Sequence, residues 1–564
     1  MRQLIECVPN FSEGRDMSII KQITNAIESV DEITLLDVDP GQATNRTVVT
    51  IVGEPIPVME AAVRGIRKAA ELIDMSKHSG AHPRFGATDV CPLVPVANIS
   101  MEETVKYARQ LAERVGTELG VPVYCYENAA SSQARKNLAN CRAGEYEALP
   151  DRITTEEWKP DFGPSEFTDA VAKSGVTAVG ARDFLVAFNV NLNTTSTRRA
   201  NAVAFDVRER GRKKREGNPV TGKLVKDENG NQVWITGSLK EVKAIGWFID
   251  EFGIAQISMN LTNISVSPVH IAYDEVYKKA NERGLRVTGS ELVGLIPLNA
   301  MLEAGKYFLR KQNRSLGISD KELIKIAVKS MGLDDLYKFE PEKKIIEYAM
   351  AAKEKSCKLI DMNLSEFVWE TASESPAPGG GSIAAYMGSI GAALGTMVAN
   401  LSSHKRGWDE RWEMFSQWAE KGKYYHDQLL AMVDEDTNAF NKIMDAFGFP
   451  KKTEAEKVAR QKAIMDATKY AIEVPLKTMT LCYESMQVMK AMVQEGNPNS
   501  VTDAAVGALA ATAGIRAAYL NVRINVGDYD DKTFVDKVVK QGADIEKAAL
   551  KLEAEIMEIT NQKI

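Results

Sequence analysis

The stretch ITLLDVDPGQATNRTVVTIVG (33–53) decides how the first half of this chain folds. Two runs rich in β-branched residues, ITLLDVD (33–39) and RTVVTIVG (46–53), flank Pro40-Gly41, which predicts two strands joined by a turn. Just downstream, Ala62, Gly65, Ile66, Ala69 and Ile73 recur at helical spacing, so a helix is expected over about 58–74. Working outward, VCPLVPVA (90–97) and PVYCYE (122–127) read as strands on either side of a helix over 102–119. FLVAFNVNL (184–192) and IAQISMNLTN (254–263) read as buried strands, and 273–283 as helical. Strands interleaved with helices predict an α/β (α+β) region with mixed sheets. Its size allows two subdomains, 1–178 and 179–334, dividing near Gly175–Gly180.

From about residue 365 the strand signals stop. Long Ala-, Gly-, Met- and Leu-rich helical patterns take over, ending in an amphipathic helix over 534–558, so 365–564 is expected to be an all-α helical bundle. The stretch 335–364, containing KIIEYAMAAKEKS, reads as a helical linker. A length of 564 residues is too long for one core and fits this multidomain division. The net charge of −7 gives no general attraction to nucleic acid or an anionic membrane. Six cysteines without a C-x-x-C pair favour a reducing, cytoplasmic setting, and the N-terminus has no signal-peptide pattern. SIAAYMGSIGAALGTMVANLSS (382–403) is long enough to span a membrane. Its Ala/Gly content and Gly391-x-x-x-Gly395 favour a buried helix that neighbours approach closely.

Three stretches carry candidate chemistry. In HSGAHPRFGATD (78–89), His78 and His82 sit four apart, but Gly80 and Pro83 oppose a helix and no further ligands are evident, so no metal site is expected. A loop histidine at 82 suits proton transfer near neutral pH, and Asp37 or Asp39 could orient it; bonding to its own loop's carbonyls is the other reading. The basic run VRERGRKKREGNP (207–219) reads as an anion-binding patch, a localisation-type signal or a solvated loop. Beyond it, Asn229-Gly230 between β-formers predicts a hairpin with a primed turn.

In the helical half, Trp408, Trp412, Phe415, Ala419, Gly422, His426, Leu429, Val433, Asp436, Phe440, Ile443 and Phe447 alternate spacings of four and three. This heptad seam predicts one long packed helix. His426 reads as a register residue. Asp436 reads as a buried carboxyl whose raised pKa suits an acid, with Asp434 and Glu435 off the seam and solvated. Gly379, Gly380, Gly381 and Ser382 open the small-residue helix and can present backbone N–H groups to a ligand, although tight packing would also explain them. A scaffolding role built on the seam is the alternative of another class.

The motifs ECVPNFSEGRD (6–16), LLDVDPGQATNRTVVT (35–50), HSGAHPRFGATDVCPLVPV (78–96), GARDFLVAFNVNL (180–192) and KAIGWFIDEFGIAQISMNLTN (243–263) resemble the glutamate formimidoyltransferase family. The resemblance implies transfer of a formimidoyl group from N-formimidoylglutamate to N5 of tetrahydrofolate, with His82 as base and Asp39 in its pocket. It implies folate contacts at Gly163, Pro164, Ser165, Phe167, Lys240, Lys243 and Gly246. The segment around 213–236 looks inserted relative to that family. APGGGSIAA (377–385), DEDTNAFNKIM (434–444) and NPNSVTDAAVGALAATAG (497–514) resemble the formimidoyltetrahydrofolate cyclodeaminase and related cyclohydrolase-type domains. That resemblance implies closure to 5,10-methenyltetrahydrofolate with loss of ammonia, Asp436 being the catalytic acid. The order of the halves is similar to the fused formimidoyltransferase-cyclodeaminase family, linking histidine breakdown to one-carbon folate metabolism. It implies tetrahydrofolate (as polyglutamate) as co-substrate, no permanent cofactor, no nucleic-acid or membrane partner, and a ring-like homo-octamer. The basic segments would hold the polyglutamate tail. A transferase whose helical half serves only oligomerisation is the other enzyme reading.

Overall fold

A computed structural model describes residues 3–41, 45–80, 84–218, 221–249, 252–351, 358–527 and 529–564. Among these residues the chain forms two compact units. The first comprises 1–301 and 331–355, and the second 302–330 and 356–564.

Among the described residues the first unit holds two large sheets whose four-stranded cores share one topology. Strands β1 (Leu4–Cys7) and β2 (Asn10–Phe11) lie end to end between β4 (Arg46–Gly53) and β5 (Thr88–Ala97), and β3 (Ile33–Gly41) flanks β4. Helices Met17–Glu28 and Pro55–Leu72 make the crossovers, giving a β-α-β-β-α-β unit with strand order 2-3-1-4. The edge beyond β5 is extended by β7 (Thr177–Ala181) and then β6 (Val123–Glu127), both pairings parallel. The boundary expected at 178 thus falls inside β7, and the chain leaves this sheet after Ala181. Pro40 and Gly41 continue β3. The strand thus runs through the expected turn, and residues 42–44 lie outside the described residues.

Side-chain alternation divides the first core. Cys91, Leu93, Val123, Cys125 and Val179 face helices Pro55–Leu72 and Met101–Leu119, whereas Val90, Tyr124, Tyr126 and Ala178 face the irregular segment that includes Leu149, Ile153 and Val171. The second sheet repeats the order: β8 (Val186–Leu192), the two-residue strands β9 (Arg212–Lys213) and β10 (Trp234–Ile235) of a separate small sheet, then β11 (Val242–Ile249), β12 (Ile254–Leu261) and β13 (Val287–Val293). Strands β11-β12-β8-β13 are antiparallel throughout. Helices Thr197–Val207 and Val269–Asn281 are the crossovers, the first packing on β11 and β12.

The hairpin at Asn229-Gly230 forms with different turn chemistry. Only Gly230 has positive φ (+80°), and its N–H donates to the Asp227 carbonyl. The Asp227 carboxylate accepts from the N–H groups of Asn229 and Asn231, which nucleates an unprimed turn closed by one left-handed glycine.

In the expected linker, helices Pro341–Lys344 and Ile346–Ala351 are described, and Ile345 bridges to Ile296 with no exposed surface. This part of the link is packed on the first unit. Residues 352–357 lie outside the described residues. The segment 302–330 groups with the helical unit because Leu316 N–H donates to Ser416 Oγ (3.0 Å), Ser315 and Gly317 bond Asn400, and Gly317 abuts Ala419.

The helical unit is built from Gly380–Ser403, Trp412–Gly448, Glu454–Glu495, Val501–Asn525 and Lys532–Asn561. Small residues set its central crossing. A Cβ on Gly391 would lie 2.6 Å from the Gly507 carbonyl oxygen, and one on Gly388 only 2.2 Å from Cys482 Sγ. The helix read as a possible span, Gly380–Ser403, has 61% of its most apolar window buried within the protein. A second helix of that length and hydropathy, Pro498–Asn525, has 50% buried. The heptad seam is shorter than expected. Trp408 precedes the helix, Phe415, Ala419, Gly422, Leu429 and Val433 are buried, His426 is half-buried, and Phe440 and Phe447 are exposed.

Candidate functional site

The first site is assembled around the loop that carries His82. His82 itself, with Ala81 and Pro83, lies outside the described residues, but both flanks are anchored. Upstream, His78 Nε2 is 2.9 Å from the Asn45 carbonyl oxygen, and Asn45 Nδ2 donates to the Ser79 carbonyl (3.0 Å). Asn45 adopts a left-handed φ of +48° and also accepts Gly14 N–H, so one residue ties three loops together. Downstream, Arg84 pairs with Glu147 (2.7 Å), and Phe85 N–H donates to Asp89 Oδ1 (3.1 Å). Asp89 has no exposed surface, and its other oxygen takes Arg46 (2.6 Å) and Arg142 (2.5 Å). Two guanidiniums on one carboxylate leave a positive surplus. Burial lowers the Arg46 pKa, and Arg142 adds to the shift while Asp89 opposes it.

Asp37 and Asp39 are exposed on the edge strand β3, past an irregularity in its register with β4. On β1, separated from β3 by β4, Glu6 is 5% exposed. Burial pushes its pKa up to about 7 against the opposing charge of Arg182. Arg182 also faces Glu127 and Asp183, both raised by burial, and Glu241 adds to each shift. Lys243 contributes positive charge at Glu127.

The expected folate contacts fall in two places. Gly163 turns the chain at φ +84°, where a Cβ would lie 2.6 Å from the Val121 carbonyl oxygen. Pro164 and Ser165 follow half-buried, and Phe167 packs edge-on to Tyr146. Lys240 and Lys243 are exposed at the start of the second sheet. Gly246 faces the opposite side from Lys243, because strand side chains alternate. It lies under helix Thr197–Val207, and Asn201 bonds both its N–H and its carbonyl.

The sheet face that carries Lys243 holds a polar network absent from the sequence reading. Trp247 Nε1 donates to Gln256 Oε1 (3.1 Å), and Gln256 Nε2 donates to Asn191 Oδ1 (2.8 Å) and Glu291 (3.2 Å). Asn189 and Tyr337 also donate to Glu291, and Asn191 donates to Asp335. A usable signal was present: Asn189 and Asn191 stand two apart in an apolar strand, which places two amides on one face.

The second site joins the start of helix Gly380–Ser403 to Asp436 on helix Trp412–Gly448. Ser382 Oγ donates to Asp436 Oδ2 (3.3 Å) and to the Val433 carbonyl (2.8 Å). A Cβ at Gly381 would lie 2.0 Å from Asp436 Oδ1, so glycine here is a condition for the carboxylate's approach. Gly380 faces the Asn521 amide. Burial raises the Asp436 pKa, and bonds from the Ser382 hydroxyl and backbone oppose that shift. Asp434 and Glu435 are half-buried, not solvated: Asp434 accepts Leu359 N–H (2.8 Å), and Glu435 accepts the Tyr470 hydroxyl. His426 lies beside Asp427 (3.0 Å) and contributes nothing to this site. Among the described residues no three His, Cys, Asp or Glu side chains converge as metal ligands.

Three family models divide the chain near the end of β7 and again after 351, although the second of them takes in 302–330, which groups with the helical unit. Residues 4–182 match the formiminotransferase domain, N-terminal subdomain; 187–351 the formiminotransferase domain; and 363–544 the formiminotransferase-cyclodeaminase model. The chain is 42% identical over 534 residues to formimidoyltransferase-cyclodeaminase of Gallus gallus, covering 95% of this chain and 94% of that protein. Glutamate formimidoyltransferase of Thermoplasma acidophilum is 43% identical over 309 residues, which cover 54% of this chain and 92% of that protein. Methenyltetrahydrofolate cyclohydrolase of Methylorubrum extorquens is 36% identical over 201 residues, 36% of this chain and 97% of that protein. The chain belongs to the formimidoyltransferase-cyclodeaminase family.

Proposed function

We propose that this chain carries out two consecutive steps on one folate. It transfers the formimidoyl group of N-formimidoyl-L-glutamate to N5 of tetrahydrofolate, then closes the product to 5,10-methenyltetrahydrofolate with release of ammonia. The observation that carries the reading is a carboxyl with a burial-raised pKa, Asp436, against a glycine-led helix start, in a chain whose halves separately resemble a transferase and a cyclohydrolase.

The transferase occupies 1–178 and 179–334, followed by the linker 335–364 and the cyclodeaminase 365–564, with the first division shifted to the end of β7. In the first step N5 attacks the amidine carbon, a new N5–C bond forms, and the C–N bond to glutamate breaks. His82 takes the N5 proton, and a proton returns to the departing amine. Asp39 supports the imidazole. Gly163, Pro164, Ser165, Phe167, Lys240 and Lys243 line the folate, and Gly246 sets the strand that presents Lys243. In the second step N10 attacks the formimidoyl carbon and its proton passes to the imino nitrogen, after which the resulting C–NH2 bond breaks. Asp436 protonates the leaving nitrogen while Gly379, Gly380, Gly381 and Ser382 shape the pocket. Tetrahydrofolate, including its polyglutamate forms, is a co-substrate, and no permanently bound cofactor is needed. The enzyme is cytoplasmic and assembles as a homo-octamer. Leu520 and Ile524, exposed on helix Val501–Asn525, favour association with further copies.

The test supplies tetrahydrofolate and N-formimidoylglutamate and follows methenyl-folate absorbance and ammonia together. Asp436→Asn is expected to lose ammonia release and keep transfer, whereas His82→Ala loses transfer and still cyclises supplied 5-formimidoyltetrahydrofolate. Full ammonia release by Asp436→Asn would return the helical half to an assembly role.

A further inference from the structure

The segment that looks inserted, around 213–236, helps to build a cavity that the two reactions above do not use. Strands β9 and β10 pair across it, Lys214 N–H donates to the Val233 carbonyl, and Val225 N–H donates to the Lys214 carbonyl. The ribbon is seated firmly: a Cβ on Gly211 would lie 1.8 Å from the Ile235 carbonyl oxygen. On helix Thr197–Val207, Arg198, Ala202 and Phe205 recur at helical spacing, and Arg208 continues the stripe just past the helix end. Ala200, Val203, Ala204 and Val207 have no exposed surface, whereas Ala202, on the stripe, keeps 8% and lines the cavity. Between stripe and ribbon lies a cavity of about 300 Å³ whose lining includes Arg198, Arg208, Arg212, Lys213 and Arg215 and, among the described residues, no acidic side chain.

Two of the cations, Arg208 and Arg215, are fixed by contacts that leave them charged, while Arg212 is paired with Asp206. Arg208 Nε donates to the Gly211 carbonyl (3.0 Å) and its guanidinium lies over Phe205 at 3.9 Å. Arg215 donates to the Gly222 carbonyl (2.7 Å). Arg212 donates to the Ala202 carbonyl, and its partner Asp206 is shared with Arg283. Trp234 lines the same cavity and carries Arg210 over its ring at 4.6 Å. Backbone carbonyls and rings hold guanidinium forks in place while leaving their charge for a ligand, which is the preorganisation that multidentate anion recognition needs. Burial also lowers the Arg208 pKa, with the neighbouring charge of Arg210 adding to the effect.

We propose that this cavity is a binding site for a small polyanion bearing two or more phosphate or carboxylate groups. It lies on the helix-covered side of the second sheet, away from the face that carries Lys243, Trp247 and Asn191.

Calorimetric titration of the full chain with inorganic triphosphate and, separately, with citrate tests it. Saturable binding of either probe is expected, weakening as NaCl rises. Stronger triphosphate binding assigns phosphate chemistry; stronger citrate binding assigns a carboxylate ligand. Arg198→Ala with Arg215→Ala should weaken binding at least about tenfold, consistent with losing two charge-assisted contacts, while formimidoyl transfer is unchanged. Arg198→Ala alone, an exposed change that keeps the fold, should weaken it by about threefold on the same grounds. Lys223→Ala, elsewhere on the ribbon, serves as the charge-matched control. Failure of both probes to bind at millimolar concentration overturns the proposal. So does binding indifferent to Arg198 and Arg215, or weakened equally by Lys223→Ala.

Discussion

Glu6 and Asp436 are both carboxyls raised by burial, and the sign of that shift has consequences for stability and rate. For Glu6 the folded protein holds a proton up to about pH 7, whereas an ordinary glutamate releases it near 4.5. Between those values the folded state binds more protons than the unfolded state, so stability falls as pH rises and levels off above about 7. Glu6→Gln should remove that dependence and stabilise the protein at pH 8, by on the order of 3 kcal/mol at most. Denaturation midpoints at pH 5 and pH 8 check this; an unchanged difference between them would be inconsistent with a protonated Glu6. In the role proposed for Asp436 the protonated carboxyl is the working form, so ammonia release should decline as pH rises through its raised pKa. The Ser382 hydroxyl favours the ionised form. Ser382→Ala should therefore move that decline to higher pH, which the pH–rate profile of cyclisation reads directly. Asp436 was legible in the sequence as a lone acid on an apolar seam. Glu6 was not: nothing local distinguishes it from a solvated glutamate, and its burial comes from pairing with two distant strands.

At the scale of elements, periodicity located the strands with clean apolar patterns and missed others, among them β7, β11 and β13, which carry glycine. In β11 a Cβ on Gly246 would lie 2.3 Å from Asn201 N, and in β13 one on Gly289 would lie 2.3 Å from Asp335 Cβ. Read locally, each glycine weakens a strand; in the fold each permits a close approach that only tertiary packing explains. The long helix Glu454–Glu495 poses the converse case, with buried Pro475 in its interior. Proline has no N–H for the Ala471 carbonyl four residues back. Asn525 Nδ2, from the neighbouring helix, donates to that carbonyl at 2.8 Å instead. Asn525→Leu should therefore cost about 1–3 kcal/mol by stranding a buried acceptor. In a Pro475→Ala background the cost should shrink, because the substitution restores a backbone N–H that can serve the same carbonyl. A double-mutant cycle on thermal unfolding measures this coupling, and additive effects would contradict it.

Across the whole molecule, the two sheet-bearing subdomains share the order 2-3-1-4 although no repeat is visible in their sequences. The topology rests on where strands and crossovers fall, which different side chains can satisfy. The assignment of 302–330 to the helical unit was equally hidden, since contacts such as Leu316 with Ser416 join residues 100 apart. The fold class, by contrast, was legible from the change of texture near 365. The order of the two chemistries along one chain leads to the last prediction. If the fusion passes 5-formimidoyltetrahydrofolate directly between sites, methenyl-folate should appear in the unmodified enzyme with little lag. A mixture of His82→Ala and Asp436→Asn chains, each prepared separately, must release the intermediate into solution before the second chain can use it. That mixture should show a lag that shortens as the His82→Ala chain, which supplies the cyclodeaminase, is increased. An excess of inactive Asp436→Asn, His82→Ala double variant should leave the unmodified enzyme's time course unchanged. Equal lags for the unmodified enzyme and the mixture, at matched site concentrations, would show that the intermediate is released in full and that covalent fusion serves some end other than transfer between sites.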